Sequence, residues 1–135
     1  MRKQRILRAD RERAEEAVRS YPLKQAALER LREILTRLRQ TQTNLADRAD
    51  ADQLARLDRA CAKLEVEIGL CEAEINTFDG ALALLDDEER LVIERMLLAP
   101  IRDAAGELSE ALCVETATVY RRRQSALEKI AAYLP

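Results

Sequence analysis

The chain contains 135 residues, of which 47% are hydrophobic, 36% are charged and only 3% are aromatic, and it holds three glycines and three prolines. This composition is typical of long helices and coiled coils rather than of sheets. No run of about eighteen apolar residues is present and the N-terminal segment is basic, so we expect neither a membrane span nor a secretory signal.

The residue types that most catalytic and metal sites need are scarce. Histidine is absent, and Cys61, Cys71 and Cys113 are widely spaced on apolar stripes or in a turn. We interpret them as small buried hydrophobic residues in a reducing cytoplasm. Because no histidine base, glycine-rich phosphate loop or paired nucleophile is present, we expect no enzyme activity, no catalytic residues, no cofactor and no metal.

The first predicted helix covers residues 3–21, and Pro22 is expected to end or kink it. Its weak apolar stripe consists of Ile6, Leu7, Ala14, Ala17, Val18 and Tyr21. Basic and acidic side chains alternate along the rest of this segment. They could bind phosphates or form a solvated polar face, and the sequence leaves both interpretations open.

Two longer helices follow, each with one apolar seam in heptad spacing. The seam of the second helix, residues 23–47, comprises Leu28, Leu31, Leu35, Leu38, Gln42 and Leu45. The seam of the third helix, residues 54–85, comprises Leu54, Leu57, Cys61, Leu64, Ile68, Cys71, Ile75, Phe78, Leu82 and Leu85. A polar stretch at 46–53 is predicted to connect them.

Charge is segregated between these two helices. Residues 23–49 hold six basic and three acidic side chains, whereas residues 50–89 hold three basic and twelve acidic ones. A short link joins the two helices, and the charges beside their seams are opposite in sign. Both features favour an antiparallel hairpin. Heptads also support association between chains, and the sequence leaves pairing within or between chains open.

The acidic run at 86–89 predicts a helix start, with Asp86 as the N-cap and Glu89 in the capping-box position. This helix is expected to run to Leu98, and Pro100 is expected to close it. Carboxylates also bind metals, but helix capping explains this run more simply.

Two short helices joined by a tight turn are predicted between residues 105 and 134. Leu108 and Leu112 lie on one face of the first helix, and Val114 and Val119 follow the turn. These side chains are expected to fill the angle between two helices that meet near a right angle. Ser109 is the small residue expected where the backbones approach. The second helix extends its apolar stripe through Ala126, Leu127, Ile130 and Leu134.

This stretch resembles region four, the C-terminal helix-turn-helix of bacterial sigma factors, and is most similar to small phage-encoded regulators of the ArpU and RinA type. The matching positions are Leu108-Ser109, Leu112-Cys113-Val114-Glu115, Thr118-Val119-Tyr120-Arg121, Ala126-Leu127 and Ile130. Three positions depart from the pattern of these families. Cys113 replaces a turn glycine, Glu115 replaces a serine or threonine N-cap, and Arg122 replaces an apolar residue.

Together with the seams, the resemblance implies an all-α fold in two domains. A long, coiled-coil-like helical hairpin is expected within residues 1–85, and a three-helix helix-turn-helix domain within residues 86–135. The resemblance further implies a sequence-specific transcriptional regulator, phage or prophage encoded, that binds double-stranded DNA. The expected DNA-binding residues are Thr116, Ala117, Thr118, Tyr120, Arg121, Arg122, Arg123 and Gln124.

Two roles are expected within this set. Thr116, Ala117, Tyr120, Arg121 and Gln124 are expected to face outward toward the base edges. The residues expected to neutralise phosphates are Arg122, Arg123 and Lys129.

A second class of function fits the same pattern. The chain could be a coiled-coil interaction protein whose C-terminal helices contact RNA polymerase or another protein without reading DNA. Salt-sensitive binding to duplex DNA distinguishes the two classes. A homodimer is slightly favoured over a monomer, because helix-turn-helix proteins often read two half-sites, although region-four modules act as monomers.

Overall fold

A computed structural model describes residues 8–135, and all of their regular secondary structure is helical. The α-helices are α1 (Arg8–Leu45), α2 (Ala51–Ala83), α3 (Asp87–Ile93), α4 (Ala104–Leu112) and α5 (Thr116–Tyr133). A single π-helical turn, Glu94–Leu98, continues α3. The all-α class that the composition predicted is therefore confirmed for the described residues. The predicted helix start at residue 3, with Ile6 and Leu7, lies outside them.

α1 is one helix of 38 residues where the sequence predicted two, and Pro22 lies inside it. A proline within a helix removes one backbone hydrogen bond and costs about 3 kcal/mol. Val18 before the proline and Leu28 after it are nevertheless 0% and 7% exposed. Burial of apolar side chains on both sides of Pro22 offsets this cost, so the prediction of two separate helices is wrong.

The described residues pack as two compact units, and both boundaries fall inside a long helix. The first unit contains residues 8–22 and 76–135, and the second contains Leu23–Ile75. This division differs from the one predicted at residue 85. It differs because the N-terminal part of α1 and the C-terminal part of α2 pack with the helices that follow.

The two helices of the second unit run antiparallel. Three ion pairs join basic residues of α1 to acidic residues of α2: Lys24 to Glu74, Arg32 to Glu72, and Arg39 to Glu65. As the residue number of the α1 partner rises from one pair to the next, that of the α2 partner falls, which is the order expected for antiparallel helices. Because the side chains of these pairs are 42–58% exposed, each pair contributes at most about 1 kcal/mol. These ion pairs therefore favour the antiparallel orientation of the two helices more than they add to the stability of the unit.

Every predicted seam position between residues 28 and 75 is buried or half-buried. The polar seam residue Gln42 donates to the Asp58 carboxylate, and its amide oxygen accepts from the Cys61 thiol at 3.6 Å. A buried amide that lacked such partners would cost about 1–3 kcal/mol. Gln42 is therefore accommodated among the leucines at little cost.

The connection between these helices is shorter than predicted. Asp50 accepts a hydrogen bond from the backbone N–H of Gln53 at 2.8 Å. This side-chain cap pairs one of the donors that a helix N-terminus leaves free. α2 therefore begins at Ala51, inside the predicted connection at 46–53.

The first unit is built around a hydrophobic core to which α1, α2, α3 and α5 contribute. Its buried residues are Ala14, Val18, Phe78, Ala81, Leu85, Ile93, Leu97, Ala126, Leu127 and Ile130. Burial of apolar surface stabilises a fold by about 25 cal/mol per Å². Because Ala14 and Val18 are buried in this core, the N-terminal part of α1 is an integral part of the unit.

Tyr21 lies at the edge of this core. Its ring packs against Phe78 with the centroids 4.5 Å apart, and its hydroxyl donates to the Asp79 carboxylate. Burial, followed by the hydrogen bond to Asp79 and the charge of Asp79, raises the pKa of Tyr21 from 10.0 to about 12.

We expect this tyrosine to make the fold sensitive to alkali. The folded state holds the phenol proton more tightly than the unfolded state, so the contribution of Tyr21 to stability is complete below pH 10.0 and is lost as the pH rises through about 12. Ultraviolet phenolate titration of the protein, minus that of the Tyr21→Phe variant, isolates this group. A difference curve centred on the ordinary tyrosine pKa would contradict the prediction.

Candidate functional site

The turn between α4 and α5 is a left-handed helix cap. Cys113 has φ 54° and ψ 43°. Its N–H donates to the Glu110 carbonyl at 3.3 Å, and the N–H of Val114 donates to the Ser109 carbonyl at 3.1 Å. These two bonds form a Schellman motif, which is usually built on glycine. The reversal that the motif produces lets α5 begin at Thr116.

Ser109 closes the same turn with its side chain. Its hydroxyl donates to the carbonyl of Val114, while its own carbonyl accepts from the Val114 N–H. The sequence predicted only that a small residue is needed at this position. The hydroxyl adds a second connection across the turn, which alanine could not make.

Apolar contacts hold α4 and α5 against α3. Val92, Leu108 and Val119 are at most 2% exposed and form one cluster. The half-buried residues packed around them are Leu91, Met96, Leu112 and Val114. The four side chains that the sequence placed in the angle between the two short helices therefore lie together, with α3 behind them.

Replacing Cys113 with glycine is expected to stabilise the fold by about 1 kcal/mol. The left-handed conformation costs an L-residue roughly 1–2 kcal/mol, and the greater freedom of glycine in the unfolded chain cancels part of the gain. Urea denaturation measures the difference. Cys113→Ala removes the thiol but keeps the Cβ, so this control should gain nothing. Equal stability of the glycine and alanine variants would show that the turn is not strained.

The outer face of the first turns of α5 is uncovered. Its exposed residues are Thr116, Ala117, Tyr120, Arg121 and Gln124. The Tyr120 side of the helix is open to solvent, with Tyr120 52% exposed, whereas Val119 on the opposite side is fully buried. Thr118 is half-buried, and its hydroxyl accepts a hydrogen bond from the Arg121 guanidinium at 3.1 Å. All the residues expected to face outward are thus accessible on one surface.

Glu115 occupies the N-cap of α5, with φ −70° and ψ 153°. Its side chain accepts no hydrogen bond from the first turn of the helix. Serine, threonine, asparagine or aspartate at this position would accept one and stabilise the helix by about 1 kcal/mol. α5 therefore begins without a side-chain cap.

Three basic residues of α5 are held by acidic residues of the first unit. These pairs are Arg122 with Glu88 at 2.8 Å, Arg123 with Glu15 at 2.8 Å, and Lys129 with Glu89 at 2.6 Å. A hydrogen bond from Arg19, and then the charge of Arg123, lower the pKa of the Glu15 carboxyl. Arg122 also has a buried Nε without a hydrogen-bond partner among the described residues. The expected phosphate contacts of Arg122, Arg123 and Lys129 stay a prediction, and they require these pairs to open.

Glu89 joins α3 to α5 and is only 2% exposed. Its Oε1 accepts from the Lys129 ammonium at 2.6 Å and from the Asp86 N–H at 3.0 Å. Its Oε2 accepts from the Ser125 hydroxyl at 3.0 Å. Asp86 in turn accepts from the Glu89 N–H at 2.8 Å, which completes the predicted capping box.

These contacts shift the pKa values of two neighbouring groups. The backbone hydrogen bond from Glu89 lowers the pKa of the Asp86 carboxyl, and the hydrogen bond to Glu89 raises the pKa of Lys129. Both shifts favour the charged forms. The sequence revealed the capping box but not the burial of Glu89, because that burial depends on a helix 40 positions further along the chain.

Comparison of the chain with protein-family models, curated proteins and solved structures found no match. No helix between residues 8 and 135 is both long enough and apolar enough to cross a membrane.

Proposed function

We propose that the protein is a DNA-binding transcriptional regulator in which α3, α4 and α5 form a helix-turn-helix domain of the sigma region-four kind. α4 and α5 are the two helices of the motif, and α3 supports them through Val92. Leu23–Ile75 is then a coiled-coil-like hairpin. The observation that carries the proposal is the uncovered outer face of α5, directly after a Schellman turn.

In this proposal α5 enters the major groove with its first turns at the base edges. Arg121 pairs with the O6 and N7 atoms of guanine, and Gln124 suits the N6 and N7 atoms of adenine. Thr116 and Ala117 offer a hydroxyl and methyl groups to bases and to the thymine methyl. Tyr120 donates to a phosphate from the edge of the same face.

The ion pairs of α5 set the strength of this binding. Each phosphate that a protein neutralises adds about −0.9 to the slope of log K against log salt. While Arg122, Arg123 and Lys129 remain paired with Glu88, Glu15 and Glu89, α5 neutralises few phosphates. We therefore expect weak non-specific binding with a shallow salt dependence.

Arg121→Ala is expected to weaken binding to the preferred site by about 1–3 kcal/mol and to relax preference at one base pair. Sites selected from random duplexes, followed by fluorescence anisotropy at several salt concentrations, measure both effects. Arg123→Ala should weaken binding equally on all sequences and lower the salt slope by about one unit if Arg123 moves from Glu15 to a phosphate. Arg37→Ala, at an exposed position of the second unit, is the control and should leave binding unchanged. If the folded Arg121→Ala variant binds DNA like the parent, α5 does not read bases.

The pairing of Arg122, Arg123 and Lys129 also favours a second candidate, because it lowers the positive charge that α5 can offer to DNA. The same exposed face would then contact a protein, RNA polymerase being the partner that the resemblance suggests. Electrophoretic mobility on random duplex DNA at low salt separates the candidates. No retardation of DNA by the folded protein supports protein contact, and retardation of DNA supports DNA binding.

A further inference from the structure

The side of α2 that points away from its seam is apolar and exposed in the second unit. We call this surface the α2 outer face, and it consists of Ala62, Val66, Gly69, Leu70 and Ala73. Val66 and Leu70 are each 63% exposed. Steps of three and four residues align these positions along one stripe of the helix. The buried seam residue Ile68 lies on the opposite side.

The α2 outer face carries no charge in a chain that is 36% charged. On an ideal helix, Lys63, Glu67 and Glu74 border one side of it. Glu65 and Glu72 border the other side, where Arg39 and Arg32 already pair with them. A helix face that meets only water is normally polar. An apolar stripe with charged borders is instead typical of a contact surface.

Gly69 supports the same interpretation. Glycine inside a helix costs about 0.5–1 kcal/mol relative to alanine. A Cβ at this position would meet no other atom within 4 Å, so packing within the chain does not require glycine. Glycine there, with Ala62 two turns before it and Ala73 one turn after it, permits a second helix to approach closely.

We propose that the α2 outer face pairs with the same face of a second copy of this chain, antiparallel about a two-fold axis. Val66 then packs over Gly69 of the second copy, and Ala62 packs against Ala73 of the second copy. The face is self-complementary, because Val66 meets the small Gly69 and the small alanines meet each other. This pairing goes beyond the proposed function and does not depend on DNA.

The charged border that contains Lys63 and Glu74 supports the antiparallel arrangement. A two-fold axis across the helices brings Lys63 of each copy beside Glu74 of the other. The Glu74 side chain is 58% exposed while it pairs with Lys24, so it remains accessible to a second cation. On the other border the same axis brings Glu65 of each copy toward Glu72 of the other, where Arg39 and Arg32 already pair with these carboxylates. The contact is short for a specific interface, so we expect a dissociation constant on the order of 10 μM.

Sedimentation equilibrium of the full chain across this concentration range tests the proposal. The parent should dimerise, and Val66→Arg should raise the dissociation constant at least about tenfold. Leu84→Arg is the matched control, since Leu84 is 53% exposed but lies outside the α2 outer face, and it should leave dimerisation unchanged. Helix content by circular dichroism checks that each variant folds. A monomeric parent, or a dimer that Val66→Arg leaves intact, would overturn the proposal.

Two further variants test the orientation. Lys63→Glu should weaken the dimer, and Lys63→Glu combined with Glu74→Lys should restore it. In a Cys113→Ser background, Ala62→Cys and Ala73→Cys chains should crosslink when mixed, whereas Ala62→Cys alone should not. Crosslinking of Ala62→Cys to itself would show a parallel pair and overturn the antiparallel arrangement. Dimerisation of the Arg121→Ala variant should match the parent, so failure of DNA binding and failure of this pairing are separable.

Discussion

Replacing Glu89 with alanine is expected to destabilise the fold by about 2–4 kcal/mol, because this buried carboxylate ties α3 to α5. Hydrogen bonds to charged groups contribute roughly 1.5–3 kcal/mol, and loss of a helix cap costs about 1 kcal/mol more. Lys129 is 45% exposed and can turn to water, so it is not left as a buried unpaired charge. Urea denaturation of the parent and the variant measures the loss.

Two variants separate the causes of this loss. Asp87→Ala removes a neighbouring carboxylate that is fully exposed, and its effect should stay within about 0.5 kcal/mol. Glu89→Gln keeps the shape of the side chain but removes the charge, so its cost should lie between those of the other two. A Glu89→Ala variant as stable as Asp87→Ala would show that the link between α3 and α5 contributes nothing.

Leu108→Ala is expected to cost about 2–5 kcal/mol, the range for truncation of a fully buried leucine. Leu108 is 2% exposed and packs with Val92 and Val119, so its loss opens a cavity where α4 meets α3 and α5. Thermal and urea denaturation measure the change. Leu112→Ala is the matched control, since Leu112 belongs to the same cluster but is only half-buried. Equal costs for both variants would show that the centre of this cluster is not tightly packed.

The predictions that agree with the structure rest on local patterns. Heptad spacing identified the buried positions of α1 and α2, because residues three and four apart share a helix face in any packing. The same logic placed Tyr120 and Arg121 on the exposed side of α5 and Val119 on the buried side. The capping box of Asp86 and Glu89 was recognisable because its two members lie three residues apart.

The features that the sequence did not reveal depend on distant residues. Pro22 stays inside a helix because side chains on both sides are buried, and local propensity cannot report that. Arg123 appeared free for phosphate because Glu15 lies at the other end of the chain. Single-sequence patterns likewise do not show that Ala14 and Ile130 share a core, which moves the boundary of the first unit. The sequence showed only that Cys113 stands where related turns have glycine. The positive φ that strains this residue is seen only in the structure of the turn.

The discontinuous first unit has a consequence for synthesis of the chain on the ribosome. Ala14 and Val18 emerge before Leu23–Ile75, whereas their core partners Ile93 and Ile130 emerge after it. The second unit can therefore complete its helix pairing while most of the core of the first unit is still missing. This early pairing also shortens the loop that the first unit must close, which lowers the entropic cost of closure. Nascent chains that stop before α5 keep an apolar stripe exposed, and we expect them to aggregate or to need chaperones, whereas full-length chains should fold without them.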